Sequence, residues 1–210
     1  MRYKLVIFDF DGTLADSFSW FLGAINEAAA RYGFHPIDPA RLDDVRGFSG
    51  RQLMTHLALP LWKVPVVTAY MRQSMAKRID AVRLFDGVDA VLRALTAHGV
   101  DIAVVTSNSR DNVVRVLGSE NAPLVRHYGC GASIFGKQAK FRHALQRCGV
   151  APNEVLCVGD EIRDAEAAHA LGLDFVGVPW GYTKPEALSR YASKMLCAEF
   201  GELLAVASGK

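Results

Sequence analysis

The sequence KLVIFDFDGTLADS, residues 4–17, decides the fold of this chain. It begins with a short apolar run, which predicts a buried strand, and then breaks into aspartates, a glycine and a threonine, which favour a loop. Asp9 and Asp11 therefore lie at the carboxyl end of that strand. Two carboxylates in this position cost desolvation free energy unless a cation or a reaction uses them. The alternative is an ordinary solvated loop, or a helix cap before Ser17.

Two later segments repeat this pattern of an apolar run followed by polar residues. The runs are IAVV at 102–105 and VLCV at 155–158. The polar residues that follow are Thr106, Ser107 and Asn108 after the first run, and Asp160 and Asp164 after the second. The carboxyl ends of parallel strands meet at one edge of a sheet, where open α/β sheets bind ligands. We therefore expect these side chains to lie close to Asp9 and Asp11.

Residues 18 to about 80 carry helical periodicity and little strand signal. Phe18 and Phe21 begin a helical pattern, and a Gly-rich break at 47–50 interrupts a later helical stretch. From Asp86 onward, apolar strands and amphipathic helices alternate. This alternation is typical of a parallel sheet with helices on both faces.

The predicted fold class is α/β, with a doubly wound, mostly parallel, Rossmann-like sheet and a small all-helical cap inserted after the first strand. The core is expected to comprise residues 1–16 and 83–210, and the cap residues 17–82. Within the core, the patterns also predict a short strand over 128–134, an edge strand over 195–197 and a terminal helix over 200–206.

Composition excludes several classes of protein. Half of the 210 residues are hydrophobic, which supports a sizeable core and argues against disorder. Lys and Arg total 24 against 22 Asp and Glu, so the net charge of +2 does not indicate a nucleic-acid-binding protein. The four cysteines form no C-x-x-C pair, which argues against zinc or redox chemistry. The sequence has no signal-peptide pattern and no apolar stretch of membrane length, so we expect a cytoplasmic protein without a membrane partner.

Four segments, taken in order, resemble the motifs of the haloacid dehalogenase superfamily in its phosphatase branch. They are DFDGTLADS at 9–17, VVTSNS at 104–109, a lysine, and VGDEIRD at 158–164. The resemblance covers nearly the whole chain and is strongest to phosphoglycolate-phosphatase-like members with a small helical cap. The lysine is Lys137 or Lys140, because members often carry Lys-Pro there, whereas in this chain Lys137 stands between a glycine and a glutamine.

The resemblance implies a Mg²⁺-dependent phosphatase. Asp9 would be the nucleophile, which forms an aspartyl-phosphate, and Asp11 would act as general acid and base. Asp9 and Asp160 would hold Mg²⁺, a cation that prefers oxygen ligands, together with the backbone carbonyl of Asp11. Asp164 would support this metal site, and its alternative is a first-turn acid that interacts with the helix dipole.

Further residues are expected to bind the substrate. Free N–H groups before a helix near residue 110 suit a phosphate, and Thr106 would add a hydroxyl donor. The alternative for this cluster is an ordinary helix cap. Lys137 would neutralise the phosphoryl oxygens, and Arg46 in the cap would either hold a second anionic group or lie in solvent. The other predicted substrate-binding residues are Gly12, Thr13, Ser107 and Asn108.

Two other functions stay open at this point. A phosphomutase uses the same core but returns the phosphoryl group to a sugar, and a catalytically silent module would only bind phosphate. The expected partner is a small phosphorylated metabolite, and a phosphoglycolate-like compound is the first choice on resemblance alone. We expect a monomer or a homodimer.

Overall fold

A computed structural model describes residues 1–48, 50–131, 136–191 and 198–208. The strands are β1 (Leu5–Phe8), β2 (Ala15–Asp16), β3 (Arg83–Leu84), β4 (Asp101–Val105), β5 (His127–Gly129), β6 (Val155–Gly159) and β7 (Asp174–Gly177). The helices are α1 (Phe18–Tyr32), α2 (Leu42–Val45), α3 (Gly50–His56), α4 (Val64–Lys77), α5 (Val88–Ala97), α6 (Arg110–Asn121), α7 (Lys137–Cys148), α8 (Ile162–His169), α9 (Pro185–Leu188) and α10 (Phe200–Ser208). Short 3₁₀ turns lie at Pro39–Arg41, Leu61–Lys63, Ile79–Ala81, Ala122–Leu124 and Pro152–Glu154.

Within the described residues, the main sheet has five strands in the order β5-β4-β1-β6-β7, and every pairing among them is parallel. The first strand of the chain lies at its centre, with Leu5 opposite Asp101 on one side and Val155 on the other. Strand order therefore reverses direction at β1, which is the arrangement of a doubly wound sheet. The predicted fold class is confirmed.

The two faces of β1 belong to two separate apolar clusters, because successive side chains of a strand point to opposite faces. Val6 and Phe8 pack in the cluster that α5 and α10 complete. Leu5 and Ile7 pack in the cluster that α7 and α8 complete. All four side chains are fully buried, which explains why this strand is a continuous apolar run.

The helical segment, residues 18–77, contains α1 to α4 and is inserted between two very short strands. These strands, β2 and β3, pair antiparallel, with Ala15 opposite Leu84 and Asp16 opposite Arg83. The two chain connections of the helical segment therefore lie side by side. The segment has an apolar cluster of its own, which includes Ile25, Ala28 and Val67. This arrangement is the basis for our proposal of a core (1–16 and 83–210) and a cap (17–82).

Several element bounds differ from the sequence patterns. Helix α4 begins at Val64, and Pro65 lies in its first turn, where its missing N–H is no loss. Helix α7 begins at Lys137, four residues before the apolar pattern starts at Phe141. The strand predicted over 128–134 is β5, which ends at Gly129, and residues 132–135 lie outside the described ranges. The predicted edge strand 195–197 also lies outside them, whereas the predicted terminal helix is α10.

Within the described ranges, no helix is both long enough and apolar enough to span a membrane. Cys130, Cys148 and Cys157 are free thiols.

Candidate active site

The carboxyl ends of β1, β4 and β6 bring predicted residues together at one edge of the sheet. Asp9 follows β1, Thr106 follows β4 and Asp160 follows β6, and all three are buried. Asp164 lies buried in the first turn of α8. The carboxylate groups of Asp9, Asp160 and Asp164 offer oxygen atoms within 4.8 Å of one another. The geometry of a parallel sheet thus gathers carboxylates that are about 150 residues apart in the chain.

The ammonium group of Lys137 lies between two of these carboxylates. Its Nζ atom is 2.7 Å from Oδ2 of Asp9, and it also forms an ion pair with Oδ1 of Asp164. Burial lowers the pKa of Lys137, but Asp164 and Asp9 together raise it above its ordinary value. The lysine is therefore charged at neutral pH and offsets part of the negative charge of the cluster.

Asp160 accepts hydrogen bonds at both carboxylate oxygens. The hydroxyl of Thr13 donates to Oδ1 at 2.7 Å, and the backbone N–H of Tyr182 donates to Oδ2 at 2.7 Å. Burial, followed by the charges of Glu161, Asp9 and Asp164, raises the pKa of Asp160 well above its ordinary value. The hydrogen bond from Tyr182 acts in the opposite direction but does not compensate for this.

These residues fit a hard divalent cation. Three buried carboxylates lie close together and the ammonium of Lys137 pairs with two of them, so negative charge is in excess at this edge. The nearby guanidinium of Arg163 is paired with Glu161 and adds no net positive charge. Buried carboxylates are unfavourable unless a positive charge offsets them, and oxygen atoms are the ligands that Mg²⁺ prefers. The side chain of Asp11 is not part of this group of three.

Three glycines allow the loops to pack closely around these carboxylates. A Cβ atom at Gly159 would overlap the side chain of Asp164, and one at Gly181 would overlap that of Asp160. At Gly12, where φ is +77°, a Cβ atom would overlap Asp160 and the ring of Tyr182. Gly12 is therefore required both by its backbone conformation and by the lack of space.

Asp11 lies beside the loop that follows β4. The side-chain amide of Asn108 donates to its Oδ1 and Oδ2 atoms at 3.3 and 3.1 Å, and the hydroxyl of Thr106 lies 3.5 Å from Oδ2. Burial first, and then the charge of Asp9, raises the pKa of Asp11 to about 6. A carboxyl group with this pKa can give and take a proton near neutral pH.

The two candidate lysines have different contacts. Lys137 faces the carboxylates, as described above. Lys140, one helical turn later, donates to the backbone carbonyls of Thr106, at 2.6 Å, and of Gly131. It therefore fixes the backbone of the loop that carries Thr106, and the structure places Lys137 rather than Lys140 against Asp9.

Several of the predicted phosphate donors have partners within the protein. The N–H of Gly12 donates to the carbonyl of Ala15 at 2.9 Å, and the hydroxyl of Thr13 is bonded to Asp160. The N–H of Asn108 donates to the hydroxyl oxygen of Thr106 at 3.0 Å. Gly12 and Thr13 thus shape the loop around Asp160. Ser107, between Thr106 and Asn108, lines a cavity that Asp11 and Asn108 also line.

Arg46 reaches from the helical segment to the loop after β7. Its Nη2 atom donates to the carbonyl of Gly181 at 2.8 Å, and its Nε atom donates to that of Tyr182 at 3.2 Å. The guanidinium carbon also lies 5.4 Å from the ring centre of Phe18. From the sequence, Arg46 was expected either to hold a second anionic group of the substrate or to lie in solvent. The structure shows a third arrangement, in which Arg46 binds backbone carbonyls.

Sequence analysis missed Glu161, Arg163 and Gly181. The guanidinium of Arg163 pairs with Glu161 and lies beside Ser107 and Lys137 in a small recess. The sequence contained a signal for Glu161 and Arg163, since the motif GDEIRD places them within one helical turn of Asp160 and Asp164. Gly181 gave no such signal, because its role depends on contact with a residue 21 positions earlier.

Comparison with known proteins identifies the family. The family model described as "Haloacid dehalogenase-like hydrolase" matches residues 6–178. The chain belongs to this family. A phosphoglycolate phosphatase of Synechococcus elongatus is 32% identical over 186 residues, which is 88% of each chain. An N-acetylmuramic acid 6-phosphate phosphatase of Pseudomonas aeruginosa is 30% identical over 197 residues, or 89% of this chain and 86% of that relative.

A solved structure shows the same fold. A haloacid dehalogenase-like hydrolase from Streptococcus pneumoniae superposes with a TM-score of 0.79 over 98% of each chain, at 22% sequence identity. The predicted superfamily and the prediction of a phosphoric monoester hydrolase are confirmed by the family and by these relatives.

Replacing Gly181 by alanine tests the close packing around Asp160. The added Cβ would overlap the Asp160 side chain, so we expect kcat/KM for a generic phosphate ester to fall by about 10²-fold, the effect of a displacement of about 1 Å at a reacting group. Gly23→Ala in α1 is the matched control, because its Cβ would meet nothing within 4 Å. This control is expected to keep wild-type kcat/KM. Wild-type kinetics in Gly181→Ala would contradict the packing argument.

Proposed function

We propose that this protein is a Mg²⁺-dependent phosphatase that hydrolyses a small phosphorylated metabolite through an aspartyl-phosphate intermediate at Asp9. The observation that carries this proposal is the buried Asp9 carboxylate, paired with Lys137 and next to Asp160 and Asp164 at the ligand-binding edge of the sheet. Its family and its phosphatase-named relatives support the same conclusion.

Asp9 and Asp160 would hold the magnesium ion, with Asp164 supporting the site and the backbone carbonyl of Asp11 as a further ligand. Bound Mg²⁺ would offset the charge of the phosphoryl oxygens, which otherwise repel an anionic nucleophile. Lys137 contributes a second positive charge at the same position, because its ammonium already contacts Asp9.

In the first step, a carboxylate oxygen of Asp9 attacks phosphorus, and the bond from phosphorus to the leaving oxygen breaks. Asp11 gives its proton to that oxygen, so that an alcohol leaves rather than an alkoxide. Thr106 and Ser107, at the end of β4, would bind the phosphoryl group through a hydroxyl and a backbone N–H. Asn108 holds the Asp11 carboxyl group in place through its side-chain amide.

In the second step, Asp11 takes a proton from water, and the resulting hydroxide oxygen attacks phosphorus. The bond between phosphorus and Asp9 breaks, which releases inorganic phosphate and restores the carboxylate. A pKa of about 6 suits Asp11 for both directions of proton transfer.

The identity of the substrate stays a prediction. The relatives described above are named for phosphoglycolate and for N-acetylmuramic acid 6-phosphate, which differ greatly in size and charge. A phosphoglycolate-like substrate would need a cation for its carboxylate, and Arg46, the predicted one, is bonded to backbone carbonyls. The cytoplasmic location and the monomeric or homodimeric state also stay predictions. No observation favours the phosphomutase, and the complete set of carboxylates argues against a silent binding module.

Asp9→Asn tests the nucleophile directly. An amide does not attack phosphorus usefully, so we expect turnover of a generic phosphate ester to fall by about 10³-fold or more while the fold is retained. Acid quenching during turnover is expected to trap a phosphoryl group on Asp9 of the wild-type enzyme and none on the variant. The matched control is Asp86→Asn, an exposed carboxylate outside the site. Equal turnover in Asp9→Asn and Asp86→Asn would refute the assignment.

Lys137→Met and Lys140→Met form a pair that separates the two lysines. Loss of the Lys137 ammonium removes the charge that faces Asp9 and Asp164, so we expect kcat to fall by about 10² to 10³-fold. Loss of the Lys140 ammonium removes hydrogen bonds to two backbone carbonyls, so we expect a lower free energy of unfolding, by about 1 to 3 kcal/mol, and a much smaller change in kcat. A larger kcat loss in Lys140→Met would show that Lys140 is the functional lysine.

A further inference from the structure

A cavity of about 260 Å³ opens in front of Asp11 and Asn108 and extends between the helices of the helical segment. Side chains of α1, α3 and α4 line it, among them Phe21, Leu53 and Met71. For comparison, a cavity of about 150 Å³ lined by apolar side chains is large enough to bind benzene. The cavity beyond Asp11, the proposed proton donor to the leaving group, is therefore larger than the volume that a two-carbon leaving group would occupy.

Several apolar side chains of the helical segment are only partly buried. Phe21, Leu22, Leu53 and Met71 pack against the segment's own apolar cluster, yet each is only half-buried. All four line the cavity, so they give its wall apolar surface. An apolar ligand that covers this surface gains about 25 cal/mol for each Å² removed from water.

Among the described residues, Arg46, Arg72 and Arg163 are the arginines that line the cavity, and each has a partner within the protein. The Nε atom of Arg72 donates to the backbone carbonyl of Thr68 at 3.4 Å. The backbone carbonyl of Arg72 accepts a hydrogen bond from Asn112 in α6, so this residue lies where the helical segment meets the core. Arg163 belongs to α8 and is paired with Glu161, and Arg46 is bonded to the carbonyls of Gly181 and Tyr182. The far end of the cavity, near Leu53, offers a substrate apolar surface.

We propose that the substrate is a phosphate monoester whose leaving group has an apolar body of about six or more carbon atoms, a short aliphatic chain or a ring, seated between α1, α3 and α4. This inference rests on the proposed phosphatase function and narrows its substrate class. The phosphate binds at Asp9 and the ester oxygen faces Asp11. The apolar body extends toward Leu53. A small carboxylate such as glycolate leaves most of this surface uncovered.

A series of alkyl phosphates measures the effect. With Mg²⁺ present, kcat/KM for methyl, butyl and hexyl phosphate is expected to rise about three- to fourfold per methylene group, the factor that corresponds to about 0.8 kcal/mol per buried methylene. Hexyl phosphate is also expected to exceed 2-phosphoglycolate. A flat series, or 2-phosphoglycolate as the best substrate, would overturn the inference and leave the phosphatase function intact.

Binding of phosphonates answers the same question without turnover. Hexylphosphonate is expected to bind more tightly than methylphosphonate by a similar factor per methylene group, as read by calorimetry. If none of the esters is hydrolysed, the proposed function fails, and the phosphonates still test the cavity. Equal affinities for the two phosphonates would overturn the inference.

Leu53→Trp places added volume in the cavity, and Leu61→Trp makes the same change on the surface. Leu61 is 66% exposed and does not line the cavity. We expect the ratio of kcat/KM for hexyl over methyl phosphate to fall at least about tenfold in Leu53→Trp and to stay at the wild-type value in Leu61→Trp. Leu22→Phe, a smaller change in the same wall, serves if the circular dichroism of Leu53→Trp shows that it does not fold. An unchanged ratio in a folded cavity variant would contradict the proposal.

Discussion

Three buried carboxylates beside the ammonium of Lys137 are the constraint on which the rest of this site depends. Asp9, Asp160 and Asp164 are brought within a few ångströms of one another by a sheet whose central strand ends at Asp9. Burial, and then the charges of Glu161, Asp9 and Asp164, raise the pKa of Asp160. The hydrogen bonds to Asp160 and the ion pairs of Lys137 reduce this penalty without removing the excess charge. Such an arrangement sacrifices stability unless a cation binds, which is typical of a site selected for chemistry.

The dipeptide Gly181-Tyr182 links this charge cluster to the helical segment. Its backbone N–H at Tyr182 holds Asp160, and its two carbonyls hold Arg46. The Tyr182 ring meets Phe18 and Phe21 edge-on, with ring centres 5.2 and 5.1 Å apart. One short loop thus contacts both the carboxylates and the helices that line the cavity. The position of the helical segment and the geometry of Asp160 are therefore fixed by the same few atoms.

The sequence was sufficient for the sheet and for the residues at its strand ends, because both follow from local patterns. Each apolar run followed by polar residues predicted a strand and its carboxyl end. The parallel arrangement of these strands then predicted that Asp9, Thr106 and Asp160 lie together at one edge of the sheet. The sequence could not decide between Lys137 and Lys140, since the two lie about one helical turn apart in α7. Only their contacts in the folded protein distinguish them, because Lys137 pairs with Asp9 whereas Lys140 donates to backbone carbonyls. The partners of Arg46 and the role of Gly181 were equally inaccessible, because they depend on contacts between distant loops.

Calorimetric titration of Mg²⁺ into the metal-free protein tests the central claim most directly, because it reads the carboxylate cluster without relying on turnover. The account predicts binding of one ion per chain to the wild-type protein. It predicts an affinity at least about tenfold weaker in Asp160→Asn, which removes one charged oxygen ligand, and an unchanged affinity in the exposed control Asp86→Asn. Absence of binding to the wild-type protein, or equal affinity in wild type and Asp160→Asn, would contradict it.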